Sequence, residues 1–112
     1  MQFKRLNNMT GSDPMLNRRI VSIYINEFEI LRTAVLELPQ AENTDLIIAA
    51  LHKIKPGMVI FEHADVLPKF EAVIHRKKNN EAIQKEDADI AEILMLTEKN
   101  LNHLKTYLKS LS

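Results

Sequence analysis

The residues of this chain best suited to chemistry are a histidine and a lysine separated by one helical turn. His52 and Lys55 lie in the apolar-periodic segment ALHKIKPGM, and Pro56 and Gly57 follow directly. A neutral imidazole is a competent nucleophile near pH 7. An ammonium group one turn away can offset negative charge that the imidazole acquires. This combination suits a histidine that carries a phosphoryl group.

Pro56 removes a backbone hydrogen bond to the carbonyl of His52. In a helix, residue 56 would donate its N–H to the carbonyl of His52, and proline has no N–H to donate. We therefore expect a helix that is loosened at the histidine, with Gly57 adding local freedom. The spacing His-x-x-Lys is common by chance, so on spacing alone an ordinary solvated histidine is the favoured interpretation.

The remaining histidines fit simpler roles. We expect His63 in a turn, His75 in a basic helix end that suits the helix dipole, and His103 in solvent beside the last apolar stripe. The chain has no cysteine, no HExxH and no calcium-loop pattern, so it predicts no metal site and no cofactor. It also lacks the glycine-rich phosphate-binding motifs and GxSxG, which argues against autonomous kinase or ATPase activity.

The bulk composition restricts the class of partner. The 112 residues include 15 basic and 15 acidic side chains, for a formal net charge of zero. No basic field is available to hold a phosphate backbone, so we expect no nucleic-acid partner. No apolar run approaches a membrane span, and the first residues lack a signal-peptide core. We expect a cytoplasmic, monomeric protein without a membrane partner.

The periodicity predicts an all-α protein with four long amphipathic helices. Asp13 and Pro14 form a helix start, as N-cap and first helical residue, and Pro39 ends that helix. Asn43 or Thr44 is the predicted cap of the next. The predicted segments are 1–12 for a short capping helix or tail and about 13–38, 43–60, 64–78 and 83–111 for the long helices. We expect an antiparallel up-down four-helix bundle with a short N-terminal capping helix, in one domain of residues 1–112.

Apolar residues at three- and four-residue steps predict the buried face of each long helix. The predicted faces are Leu16, Ile20, Tyr24, Phe28, Leu31, Val35 and Leu38; Ile47, Leu51, Ile54, Met58 and Phe61; Val66, Phe70, Val73 and Ile74; and Ile90, Leu94, Thr97, Leu101, Leu104, Leu108 and Leu111. His52 lies about 100° of helical arc beyond Leu51, outside the buried stripe. We therefore expect an exposed histidine.

An apolar docking patch is predicted around His52. Its members are Ile48, Ala49, Pro56 and Val59, with Val21 or Ile25 of the first long helix beside them. These residues share the histidine's face and are not required by the core. Apolar residues around a polar centre are typical of a protein-binding surface.

The segment LHKIKPG, Leu51 to Gly57, resembles the motif alanine-His-x-Leu-Lys-Gly of the histidine-containing phosphotransfer domains of multistep phosphorelays. The likeness extends from about Phe3 to Leu111, through FKRLNNMTGSDPMLNRRIVSIYINEF and TDLIIAALHKIKP. It implies that His52 is the phospho-accepting histidine and that Lys55 neutralises phosphoryl charge.

The resemblance also implies the reaction and the partners. His52 would accept a phosphoryl group from a receiver-domain aspartate of a response regulator or hybrid histidine kinase, and pass it to another receiver domain. Mg²⁺ would come with the receiver. This chain departs from the family at two positions. The family often has glycine there, whereas this chain has Pro56 and Glu62. Small residues there let a partner approach, so Glu62 in particular is expected to affect partner choice.

Two other functions are open from the residues alone. One is a phosphorylation-independent interaction module that uses the same patch. The other is a helical dimer formed through the apolar stripe of residues 90–111. A single clean stripe is more often packed within its own chain, so we expect this stripe to belong to the core.

Overall fold

The computed structural model describes residues 1–111, apart from the side chain of Ala41. Within these residues the chain forms five α-helices and no β-strand, which confirms the predicted all-α class. The helices are α1 (Lys4–Thr10), α2 (Pro14–Leu36), α3 (Ala41–Ile60), α4 (Leu67–Lys78) and α5 (Ala88–Ser110), and a 3-10 turn at Ala64–Val66 precedes α4. No helix in this part of the chain combines the length and apolar character needed to cross a membrane.

The helices pack compactly around one hydrophobic core. α2 lies against α3 and α5, α4 lies against the same two helices, and α1 packs on α2. Each of the four longer helices therefore contacts two of the other three. The largest fully buried side chains include one phenylalanine from each of three different parts of the chain: Phe28, Phe61 and Phe70. Burial of such aromatic and aliphatic groups is the main source of stability in a fold of this size.

The predicted start of α2 is confirmed by its capping geometry. The carboxylate of Asp13 accepts hydrogen bonds from the backbone N–H groups of Met15 and Leu16, at 3.0 and 3.4 Å. Pro14 follows at the first helical position. These bonds satisfy two of the backbone donors that every helix start leaves unpaired, and such a cap contributes about 1 kcal/mol.

The predicted buried face of α2 is wrong over its first two turns. Leu16 is 41% exposed, whereas Asn17 and Val21 are buried. The amide of Asn17 donates to Asn7 Oδ1 at 2.7 Å and to Tyr107 Oη at 3.2 Å. This amide links α1, α2 and α5. Asn17, instead of Leu16, therefore faces the interior at the start of α2. Apolar periodicity cannot reveal a buried polar residue of this kind.

The predicted cap of α3 is also wrong, since the helix begins earlier, at Ala41. Asn43 lies in the first turn, and its amide donates to the carbonyl of Glu37 at 3.1 Å. The side chain therefore satisfies a carbonyl just after α2 instead of capping α3. From Ile47 onward the prediction is accurate, because all five residues of the predicted α3 stripe are buried.

The last helix begins at Ala88, later than the predicted position of about 83. The preceding connection is an irregular turn organised by Arg76 of α4. Its guanidinium group donates to the carboxylates of Asp87 and Asp89, at 2.7 to 2.9 Å, and to the carbonyl of Ala82 at 2.5 Å. Asp87 directly precedes α5 and Asp89 lies in its first turn, so Arg76 ties the start of α5 to the end of α4.

The apolar stripe of α5 lies inside the molecule. Ile90, Thr97, Leu101 and Leu104 are buried, and Leu94 and Leu108 are half-buried. The stripe therefore packs against α2 and α4 of the same chain. A dimer formed through this stripe would have to open the core, so the stripe provides no support for that alternative.

Candidate functional site

The side chain of His52 is exposed in the middle of α3. Its neighbours Leu51 and Ile54 are fully buried, so the histidine stands on the outer side of a helix whose opposite side is fixed in the core. This is the position that the sequence predicts. A side chain presented from a packed helix is held more precisely than one on a loop, which favours a role in docking or transfer.

Lys55 is half-buried and forms an ion pair with Glu71 of α4. Its ammonium group donates to Glu71 Oε1. The hydrogen bond from Lys55 holds the pKa of the Glu71 carboxyl below its ordinary value, although desolvation acts in the opposite direction. The charges of Lys55 and Lys78 lower this pKa further. The site thus contains a carboxylate that the sequence analysis missed. No sequence signal indicates it, since the pairing depends on how α3 and α4 pack.

Pro56 and Gly57 differ in their surroundings. Pro56 is exposed, and α3 continues through it to Ile60. Gly57 is buried against α2, and a Cβ atom there would lie 2.5 Å from Cε1 of Tyr24. The expected role of Gly57 in loosening the helix is therefore corrected: its lack of a side chain allows close packing of Tyr24. The Tyr24 ring in turn meets Phe61 edge to face, with centroids 5.3 Å apart.

The structure brings three of the four docking-patch residues to the surface. Ala49 and Pro56 are exposed, Val59 is 36% exposed, and Ile48 is half-buried against the core. Val21 cannot belong to a docking surface, because its side chain is fully buried. Val21 was predicted at the surface because the first two turns of the predicted α2 stripe are one residue out of register.

Two exposed apolar residues of α2 and α3 were not predicted from the sequence. Ile30 of α2 and Leu46 of α3 are 37% and 46% exposed, and both line a shallow groove between the two helices. Ile25, the other α2 residue considered for the patch, is half-buried against the core. The signal that could have identified Ile30 and Leu46 is their apolar character at positions outside the predicted buried stripes.

Glu62 occupies a backbone conformation that favours glycine. Its φ angle is 56°, in the left-handed region. This is one of the two positions where the resemblance in sequence places a glycine. The Glu62 carboxylate accepts a hydrogen bond from the backbone N–H of Arg5 at 3.3 Å, in the first turn of α1. Glu62 therefore ties α1 to the end of α3, at the cost of backbone strain.

His63 is the only histidine in residues 1–111 with a buried ring nitrogen that lacks a hydrogen-bond partner, Nδ1. Burial lowers its pKa, although Asp65, with a carboxylate oxygen 3.8 Å from Nε2, acts in the opposite direction. His75 and His103 are exposed. Across the described residues, no three His, Asp or Glu side chains are grouped so that they could hold a metal ion.

Searches against protein-family models, curated proteins and solved structures found no match to this chain. The chemistry of the site is therefore inferred from its residues and geometry. An exposed imidazole on a packed helix can attack an electrophilic phosphorus. A lysine on the next turn can then offset part of the charge that the histidine gains.

Proposed function

We propose that the protein is a phosphorelay intermediate. His52 accepts a phosphoryl group from an aspartate of a receiver domain and passes it to another receiver domain, without kinase or ATPase activity of its own. The observation that carries the proposal is the exposed His52 side chain in the middle of α3, with Lys55 one turn away. A buried His52, hydrogen-bonded within the core, would have argued against it.

The proposal includes a finer description of the fold. We infer an antiparallel up-down four-helix bundle of α2 to α5, on which α1 acts as a capping helix. The cyclic packing of these four helices supports this description. So do the contacts that hold the first residues in place, where the ring of Phe3 stacks on Tyr107 with centroids 3.8 Å apart. Such a bundle is the architecture that the resemblance to histidine-containing phosphotransfer domains implies.

The transfer needs little from this chain beyond positioning and charge. The lone pair of one imidazole nitrogen of His52 forms the N–P bond while the bond from phosphorus to the aspartyl oxygen breaks. The electron pair of that bond returns to the aspartate carboxylate, and the second imidazole nitrogen keeps its proton. The new phosphoryl group is anionic, and the ammonium group of Lys55 is close enough along the helix to offset part of its charge.

The surface around His52 suits a partner that approaches closely. Ala49, Pro56 and Val59 present small or apolar groups on the same side of α3. Ile30 and Leu46 expose further apolar surface in a groove between α2 and α3. A receiver domain would supply the aspartate and its own Mg²⁺, and the apolar groups would stabilise the complex by excluding water.

A transfer assay tests the proposal. The protein is incubated with receiver domains that carry labelled phosphate, and acid-labile label on the protein is followed with time. We expect transfer to the wild type and its loss in His52→Gln. The matched control is His75→Gln, an exposed histidine on α4, which should transfer normally. Undiminished transfer to His52→Gln would contradict the assignment, and receiver binding without any label on His52 would support the phosphorylation-independent interaction module.

A further inference from the structure

Lys55, the lysine of the proposed phosphoryl site, already forms an ion pair. Lys55 bonds to Glu71, and this pair crosses from α3 to α4 beside the turn that carries His52. Its two side chains are 31% and 51% exposed. A phosphoryl group on His52 would therefore meet an ammonium group that has a carboxylate partner.

We propose that Glu71 is a positioning residue of this site, which holds Lys55 toward α4 in the unphosphorylated protein and yields it to the phosphoryl group on His52. This inference rests on the proposed function of His52. Its basis is geometric, since a lysine three residues after a histidine shares its helix face, and the same ammonium group contacts Glu71.

The exchange is physically reasonable because the two competing anions differ in charge. A carboxylate carries one negative charge, whereas a phosphoryl group carries close to two near pH 7. The pair is partly exposed, so its net contribution is small and water can replace either partner. The flexible four-carbon stem of Lys55 allows the ammonium group to move between the two without a change in the helix.

The other lysine–carboxylate pairs of α4 differ in position. Lys69 pairs with Glu92 of α5, and Lys77 pairs with Asp45 in the first turns of α3. Neither lysine is on the helical turn that follows His52. These pairs resemble Lys55–Glu71 in chemistry and partial exposure, so they provide controls for a general loss of a surface ion pair.

Glu71 should make phosphohistidine at position 52 less stable. The phosphorylated protein is then a better phosphoryl donor. The carboxylate competes for Lys55, and it also adds a negative charge near the phosphoryl group. Replacing it by glutamine should raise the equilibrium ratio of phosphohistidine to histidine by about threefold, the size of effect typical of a partly exposed ion pair. Lys55→Gln should lower the same ratio by a similar factor.

The test uses phosphoramidate, which needs no partner protein. Its P–N bond breaks as the N–P bond to His52 forms, and ammonia leaves. The ratio of phosphohistidine to histidine is measured by ³¹P NMR at fixed phosphoramidate and ammonium concentrations. The proteins compared are the wild type, Glu71→Gln, Lys55→Gln, the double variant, and the controls Glu92→Gln and His52→Gln. Circular dichroism shows that each is folded.

We expect the ratio to rise in Glu71→Gln and to be unchanged in Glu92→Gln. Much of the Glu71→Gln effect should disappear in the Lys55→Gln background, because Glu71 acts mainly through Lys55. Before phosphorylation, the side-chain NMR signal of Lys55 should differ between the wild type and Glu71→Gln, because only the wild type has the Lys55–Glu71 pair. This difference should largely disappear once His52 is phosphorylated, which a purely structural role for Glu71 would not produce.

Two results would overturn the inference while leaving the proposed function intact. One is that the wild type is phosphorylated but Glu71→Gln has the same ratio of phosphohistidine to histidine. The other is an equal effect of Glu71→Gln with and without Lys55, which would mean direct repulsion alone. If neither the wild type nor any variant carries more phosphohistidine than His52→Gln, both the inference and the proposed function are wrong.

Discussion

The ring of Tyr24 on α2 fills the space that a side chain at position 57 of α3 would need. A Cβ atom on Gly57 would lie 2.5 Å from Cε1 and 2.6 Å from Cδ1 of that ring. The helix that carries His52 is thus packed closely on α2, five residues after the histidine. Gly57 permits this approach, and the Tyr24 ring is backed by Phe61.

Gly57→Ala should lower the free energy of unfolding by about 1 kcal/mol, because overpacking outweighs the better helix propensity of alanine. Urea denaturation followed by circular dichroism measures this difference. In a Tyr24→Ala background the space is free, so there the substitution should cost little or should stabilise the protein. Stabilisation by Gly57→Ala in the otherwise wild-type chain would show that the contact is not restrictive.

The strained backbone of Glu62 allows a comparison of glycine with alanine at one position. Both substitutions remove the hydrogen bond to Arg5, but only glycine also relieves the left-handed strain. Glu62→Gly should therefore be more stable than Glu62→Ala by about 1 kcal/mol. Thermal or urea denaturation of the two variants provides the value. Equal stability would mean that residue 62 does not keep its left-handed conformation in solution.

Lys55→Ala should slow phosphoryl transfer to His52 by roughly tenfold, the effect expected for loss of a hydrogen bond to a charged group. The fold should persist, since a partly exposed ion pair contributes little to stability. Rates come from the time course of acid-labile label. Lys53→Ala, which removes an exposed cation from the same helix, is the control and should transfer at nearly the wild-type rate. Loss of helical structure in Lys55→Ala would instead assign Lys55 a structural role.

The burial of His63 predicts a loss of stability in mild acid. Desolvation lowers its pKa below the ordinary value of 6.5. The carboxylate of Asp65 acts in the opposite direction. The N-terminus, Lys99 and His103 lower the pKa further. The folded protein then binds fewer protons than the unfolded chain. The contribution of neutral His63 to the free energy of unfolding is fully present above about pH 6.5. It is lost as the pH falls through the lowered pKa.

Urea denaturation at pH 7.5 and 5.5 measures this effect, and the unfolding free energy should be smaller at the lower pH. His63→Gln should reduce the difference between the two values. Part of the pH dependence should persist, because partial desolvation and the charges of the N-terminus and Lys99 also lower the pKa of His103. A His63→Gln variant with the same pH dependence as the wild type would show that His63 is not the responsible group.

The sequence was sufficient for features that depend on neighbours along one helix. The buried stripe from Ile47 to Phe61 follows from periodicity, and the Asp13 cap follows from side-chain chemistry. Exposure of His52 follows from its angle to Leu51. These features depend on residues at most a few positions apart, so they can be read before the fold is known.

The missed features depend on contacts between distant parts of the chain. Asn17 is buried because it reaches Tyr107, 90 positions away. Lys55 meets Glu71 only because α3 lies against α4. The reason for glycine at position 57 becomes clear only when Tyr24 is placed against it. Helix packing determines all three, and no local pattern encodes it.

The most direct test of the central claim is to locate the phosphoryl group on the protein. After exposure to a phosphorylated receiver domain, the protein is digested at alkaline pH, where phosphohistidine survives, and the peptides are mapped by mass spectrometry with a fragmentation method that retains the modification. We predict one additional phosphoryl group on the peptide that contains His52, at His52 itself. A phosphoryl group on another residue, or none after conditions that phosphorylate a known acceptor, would contradict the account.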